Sequence, residues 1–150
     1  MKSDTIILIA ARDSYSETWD AFFSLFFKYW SDCPYPVYLF TENMVFNDQR
    51  ILPLVIPADP NIPWGKQWAE RIRKAISQTN ADYFILLHTD YFFSEQIDTA
   101  RIIKLANLLR RDDIGYIRLC PAPPPKISWP EDETLGVLAK TDAYSVIVLK

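Results

Sequence analysis

The sequence predicts an α/β domain, with a mostly parallel sheet flanked by helices and antiparallel strands near the C-terminus. Three observations predict it. "TIILIAA" (Thr5 to Ala11) and "DYFILLH" (Asp82 to His88) are nearly unbroken apolar runs, as expected of strands covered on both faces. Amphipathic stretches with helical spacing stand between such runs. Near the end, "TLGVLA" (Thr134 to Ala139) and "YSVIVLK" (Tyr144 to Lys150) are spaced as a hairpin around residues 140–143.

Each element has a local reason. After the first strand, Ser14 and Glu17 have the spacing of a capping box, which predicts a helix running to Trp30. Trp19, Phe22, Phe23, Phe26 and Trp30 recur along it at helical spacing and form a core-facing stripe. "PVYLFTEN" (Pro36 to Asn43) is a second strand with a polar end. "ILPLVIP" (Ile51 to Pro57) is a third, and its prolines suit a sheet edge. "ADPNIPWG" (Ala58 to Gly65) is a loop. From Lys66 to Thr79 the pattern is helical, with Trp68, Ile72, Ala75 and Ile76 on one face. The fourth strand, Asp82 to His88, reads as the central buried one. Asp98 is an N-cap for a helix to Arg111, with Ile102, Leu105, Ala106 and Leu109 inward. "GYIRLC" (Gly115 to Cys120) is a fifth strand, and "PAPPPK" (Pro121 to Lys126) an extended spacer.

Composition narrows the function. The 150 residues suit one domain, 1–150, and the ending on a strand at Lys150 suggests truncation on the C-terminal side. The net charge is −3 and no basic block exists, which argues against a nucleic-acid surface. No run has the length of a transmembrane segment or a signal peptide. Cys33 and Cys120 match no zinc or redox spacing and read as buried free thiols in a reducing compartment.

Open parallel α/β sheets bind ligands outside the carboxyl ends of their strands. Three such ends are polar here: Arg12-Asp13-Ser14, Thr41-Glu42-Asn43 and His88-Thr89-Asp90. A parallel sheet would set all three along one rim. His88 and Asp90 are two apart, so their side chains share a side if the extended backbone continues.

With "IILIAARDSY", "WGKQWAERIRKAI" and "DYFILLHTDYFFSEQID" in view, the chain resembles the N-terminal, nucleotide-sugar-binding half of GT-A (Rossmann-like) glycosyltransferases. The bacterial enzymes of polysaccharide and lipopolysaccharide assembly are the ones it resembles. The resemblance spans essentially the whole chain and is distributed over several motifs. It implies a UDP-linked sugar donor, a glycan or lipid-linked acceptor, and a divalent metal, Mn or Mg, against the donor's diphosphate. It implies nucleotide-sugar contacts from Arg12, Asp13, Thr41, Glu42, Arg71 and His88, and metal ligation by Asp90 and His88. It also implies a cytoplasmic location, extending to the cytoplasmic face of the membrane. The first acid of the family's DxD-type motif is His88 here, which departs from the pattern.

Plainer roles stand beside these. His88 can cap its strand, Asp90 can serve a turn, and Arg12 with Asp13 can form a solvated ion pair. Trp64 and Trp68 read as packing, and Arg71 as a solvated helix residue. The alternative function is a non-catalytic nucleotide-binding or interaction domain with a degenerate metal site. A nucleotidyltransferase fits less well, because "AARDSYSE" lacks the glycines of a phosphate loop. No catalytic residue, sugar, stereochemical course or oligomeric state follows from the sequence.

Overall fold

A computed structural model describes residues 4–120, 124–140 and 145–149. Its elements begin with β1 (Thr5–Ala10), a 3-10 turn (Asp13–Thr18) and α1 (Trp19–Tyr29). β2 (Val37–Thr41), β3 (Ile51–Val55), α2 (Trp64–Ser77) and β4 (Tyr83–His88) follow. Then come α3 (Thr99–Leu108), β5 (Ile114–Arg118), β6 (Ile127–Trp129), β7 (Asp132–Lys140) and β8 (Ser145–Leu149). The chain packs as two compact units, 1–97 and 98–150.

The first unit is an α/β layer structure. Its sheet is parallel throughout, in the order β3-β2-β1-β4. β1 alternates its side chains between two covered faces, and all six of its residues are buried. Ile6, Leu8 and Ala10 join Phe40, Leu54, Ile56 and Ala75 in one core. Trp68, Ile72 and Ile76 of α2 pack against that core, so the helical face expected from the spacing is the one used. Ile7, Ile9 and Leu39 point to the opposite face and are fully buried, as are Phe22, Phe23 and Phe26 of α1. The aromatic stripe of α1 is therefore core, with Phe22 and Phe26 6.3 Å apart and Phe26 5.5 Å from Phe93. Each fully buried phenylalanine contributes roughly 1.5–3 kcal/mol through apolar burial.

Three expectations change. The capping box does not form: the Ser14 region is a 3-10 turn with a non-helical Tyr15, and Thr18 Oγ1 donates to Tyr15 O instead. α1 thus starts at Trp19, without a side-chain cap. β4 is not central; it is the end strand of its sheet, opposite β3. Nor is it buried: none of its residues is fully covered and Phe84 is exposed, because an apolar run does not report which neighbours lie on either side. Cys33 is half-buried, with its thiol pushed up by desolvation, and Cys120 is exposed, so the two are free but not both buried. The proline-bearing β3 does lie at an edge, with Pro53 opposite Leu39 of β2.

The second unit has a mixed sheet in the order β5-β8-β7-β6. The expected hairpin is β7–β8, antiparallel, with its 141–144 turn outside the described residues. β8 also pairs in parallel with β5. Asp98 caps α3 as expected, accepting from Arg101 N at 2.9 Å. Leu105, Ile114, Trp129 and Leu135 form the core of this unit. Residues 121–123 of the proline run lie outside the described residues. No helix among the described residues is long and apolar enough to cross a membrane.

Candidate functional site

In the first unit the chain runs β1, β2, β3 toward one side, then returns so that β4 lies on the other side of β1. The carboxyl ends of β1 and β4 therefore flank the point where strand order reverses. Ala10 is in register with Phe40 of β2 and with His88 of β4, so the three polar ends share one rim. A crevice of about 320 Å³ opens there. That volume is at the small end of the usual range for ligand sites, roughly 300–1,000 Å³.

Ala10, Ala11 and Thr89, all buried, line it together with Arg12, Tyr15, His88 and Asp90. The remaining wall is the start of α2: Trp64, Gly65 and Trp68. A row of flat groups runs along this wall. The Arg12 guanidinium lies 4.5 Å from the Trp64 ring centroid, and Trp64 is 5.6 Å from Trp68. Trp68 stacks on His88 at 5.5 Å and 23°, and His88 meets Tyr91 edge-on at 6.3 Å. Arginine over an indole face is an attractive arrangement, because the cation meets the ring's negative quadrupole.

The loop before α2 is held in place by a residue the sequence reading passed over. Gln67 is buried; its Oε1 accepts from Asp59 N, and its Nε2 donates to the carbonyls of Asp59 and Ile62. That clamp fixes the turn at Pro63, and so the direction in which Trp64 enters the helix.

The predicted site residues divide into two groups. Arg12, His88 and Asp90 line the crevice. Asp13, Thr41, Glu42 and Arg71 lie behind it as an interlocked support. Asp13 accepts from the backbone N–H groups of Glu42, Asn43 and Met44 at 3.0, 2.9 and 3.2 Å. Its own N–H donates to Glu42 Oε2 at 3.2 Å, so the ends of β1 and β2 are latched together. Thr41 Oγ1 is buried and donates to Met44 O. Arg71 is buried rather than solvated; its Nε donates to Ile56 O and its Nη2 to Thr41 O. Glu42 Oε1 lies 3.8 Å from Arg71 Nη1 and 3.9 Å from Arg12 Nε. Burial pulls the Arg71 guanidinium below its ordinary value, opposed by the nearby charges of Glu42 and Asp13.

One expectation about geometry fails at the other lip. The extended backbone stops at His88, where Tyr91 N donates to His88 O and closes a turn through Thr89 and Asp90. Strand alternation therefore does not set His88 and Asp90 on a common side. The His88 ring takes its orientation from Trp68 instead. No third His, Cys, Asp or Glu joins these two in a metal-sized group among the described residues.

Trp64, Trp68 and Gly65 are the wall residues that periodicity could not reveal. Trp68 belongs to the core face of α2, 5.7 Å from Phe40, and also reaches the crevice. Helical spacing marked only the first of those roles. The position of "ADPNIPWG" after an edge strand was the one available signal that Trp64 stands at a strand-end rim. Comparison of the chain with family models, curated proteins and solved structures finds no match.

Proposed function

We propose that the chain is the donor-binding part of a glycosyltransferase. It would take a UDP-linked sugar and pass the sugar to a glycan or lipid-linked acceptor at the cytoplasmic face of a membrane. The observation that carries this reading is the coincidence of the crevice with the strand-order reversal between β1 and β4. The character of the lining supports it. An aromatic wall suits a ring, the Arg12 guanidinium suits a phosphate, and the Asp90 carboxylate suits a hydroxyl or a cation.

A divalent metal, Mn or Mg, would stabilise the charge that builds on the departing diphosphate. The residues fit such a metal only as a partner of the nucleotide. Asp90 offers one carboxylate and His88 one imidazole, and Mg is commonly held by one or two carboxylates plus substrate phosphates. Mn tolerates the imidazole as well. Arg12 would hold a phosphate oxygen by charge-assisted hydrogen bonds, and Glu42 would keep that guanidinium near the rim.

A second reading, a non-catalytic nucleotide-binding domain, is favoured by the single carboxylate in the crevice and by the stacking of His88 on Trp68. Calorimetric titration of UDP with and without Mn separates the two. The transferase reading expects Mn-dependent UDP binding that Asp90→Ala abolishes. Binding that ignores both Mn and Asp90→Ala selects the non-catalytic domain. Absence of UDP binding under either condition refutes the transferase reading.

A further inference from the structure

The chain has three glycines, and two of them contrast sharply. At Gly136 a Cβ would stand 2.3 Å from a Pro125 carbon and 2.9 Å from Ile127 O, so close packing requires the glycine. At Gly65 a Cβ would meet no atom within 4 Å beyond its chain neighbours and the backbone of its own helix. Its backbone lies in the first turn of α2, a conformation open to any residue. Glycine is also a poorer helix residue than alanine. Neither packing nor backbone geometry therefore explains Gly65. Gly65 is exposed and is one of the residues that line the crevice, beside Trp64 and Trp68.

Glycine is one residue used where a ligand comes close to the backbone, and Gly65 stands at a crevice. We infer that Gly65 determines which ligands the crevice admits. Its missing side chain leaves room for the ring of a nucleotide to lie along the Trp64–Trp68 wall. The phosphates then extend toward Arg12 and Asp90. This inference rests on the nucleotide reading above and assigns the ring and the phosphates to different parts of the site. A side chain at residue 65 would occupy the ring's position and leave the charged lip unchanged.

The test is calorimetric titration of the intact chain with UDP and with pyrophosphate, each with Mn, for the wild type, Gly65→Ala and Gly65→Leu. Gly65→Leu is expected to weaken UDP by roughly tenfold or more and to hold pyrophosphate within about twofold. Gly65→Ala is expected to weaken UDP less while raising Tm by about 1–3 °C, because alanine favours the helix and its methyl meets nothing. Opposite signs on stability and binding are what a purely structural glycine would not give. Equal UDP affinity in wild type and Gly65→Leu overturns the inference and leaves the nucleotide reading intact. Equal loss of UDP and pyrophosphate overturns the division into ring and phosphate regions. A wild type that ignores UDP overturns the nucleotide reading, and this inference with it.

Discussion

Replacing Arg71 with methionine removes a buried cation shared by three segments of the first unit. Its Nε donates to Ile56 O at 3.0 Å and its Nη2 to Thr41 O at 3.1 Å, while Nη1 stands 3.8 Å from Glu42 Oε1. A hydrogen bond to a charged group contributes roughly 1.5–3 kcal/mol net. Two such bonds and a loose ion pair are lost. The relief of guanidinium desolvation offsets part of that loss, and methionine retains the packing of the aliphatic stem. Thr41 O keeps a second donor, Ile56 N at 3.0 Å, which limits the damage there. The net destabilisation should be about 2–4 kcal/mol. Urea unfolding followed by tryptophan fluorescence measures it, because Trp19, Trp30, Trp64 and Trp68 of the five tryptophans lie in the first unit. In the Arg71→Met background, Glu42→Gln should cost less than it does in the wild type, since the carboxylate has already lost a partner. A loss below about 0.5 kcal/mol would refute the reasoning, for surface substitutions lie within that range.

Two further outcomes follow from local geometry. Gly136→Ala should destabilise the second unit by about 1–3 kcal/mol, as overpacking against Pro125 and the Ile127 carbonyl forces β6 and β7 apart. An unchanged thermal transition of residues 98–150, followed through Trp129, would contradict it. Hydrogen bonds from Arg50 lower the Asp48 carboxyl from its ordinary 3.8 to about 2. A carboxyl depressed in the folded state stabilises fully above its unfolded value and loses that contribution as pH falls through the folded one. Arg50 is exposed and Asp48 partly so, and solvent screening holds the advantage of the wild type over Asp48→Asn to about 0.5 kcal/mol near neutral pH. That difference should shrink between about pH 4 and pH 2, and one constant across the range would reject the assignment.

Much of the first unit is legible in the sequence because its signals are local. β1 declares itself by continuous burial, β3 by its prolines, and α2 by the spacing of Trp68, Ile72, Ala75 and Ile76. What escapes is what depends on distant partners. The Ser14–Glu17 capping box is overridden because Asp13 is tied to the end of β2, 29 to 31 residues away, and the chain leaves β1 through a 3-10 turn. The end position of β4 and the parallel pairing of β5 with β8 are equally non-local. The site follows the same division. Arg12, His88 and Asp90 could be read because strand ends mark a rim. Asp13, Thr41 and Arg71 carry the same polar chemistry, yet their hydrogen-bonding capacity is directed into the rim's own backbone. A sequence shows which groups could meet a ligand, not which have already met a carbonyl.

The end position of β4 also has a consequence for concentrated solution. Phe84, Ile85, Leu86 and Leu87 carry no charge and no proline, and β4 ends its sheet among the described residues. Such an edge is a template for strand addition by another chain, and so for self-association and precipitation. Aspartates bracket the run at Asp82 and Asp90, in the manner of charges that flank unavoidable apolar strands. If Asp90 acts as such a flanking charge, an Asp90→Ala protein should reach its concentration limit sooner than the wild type.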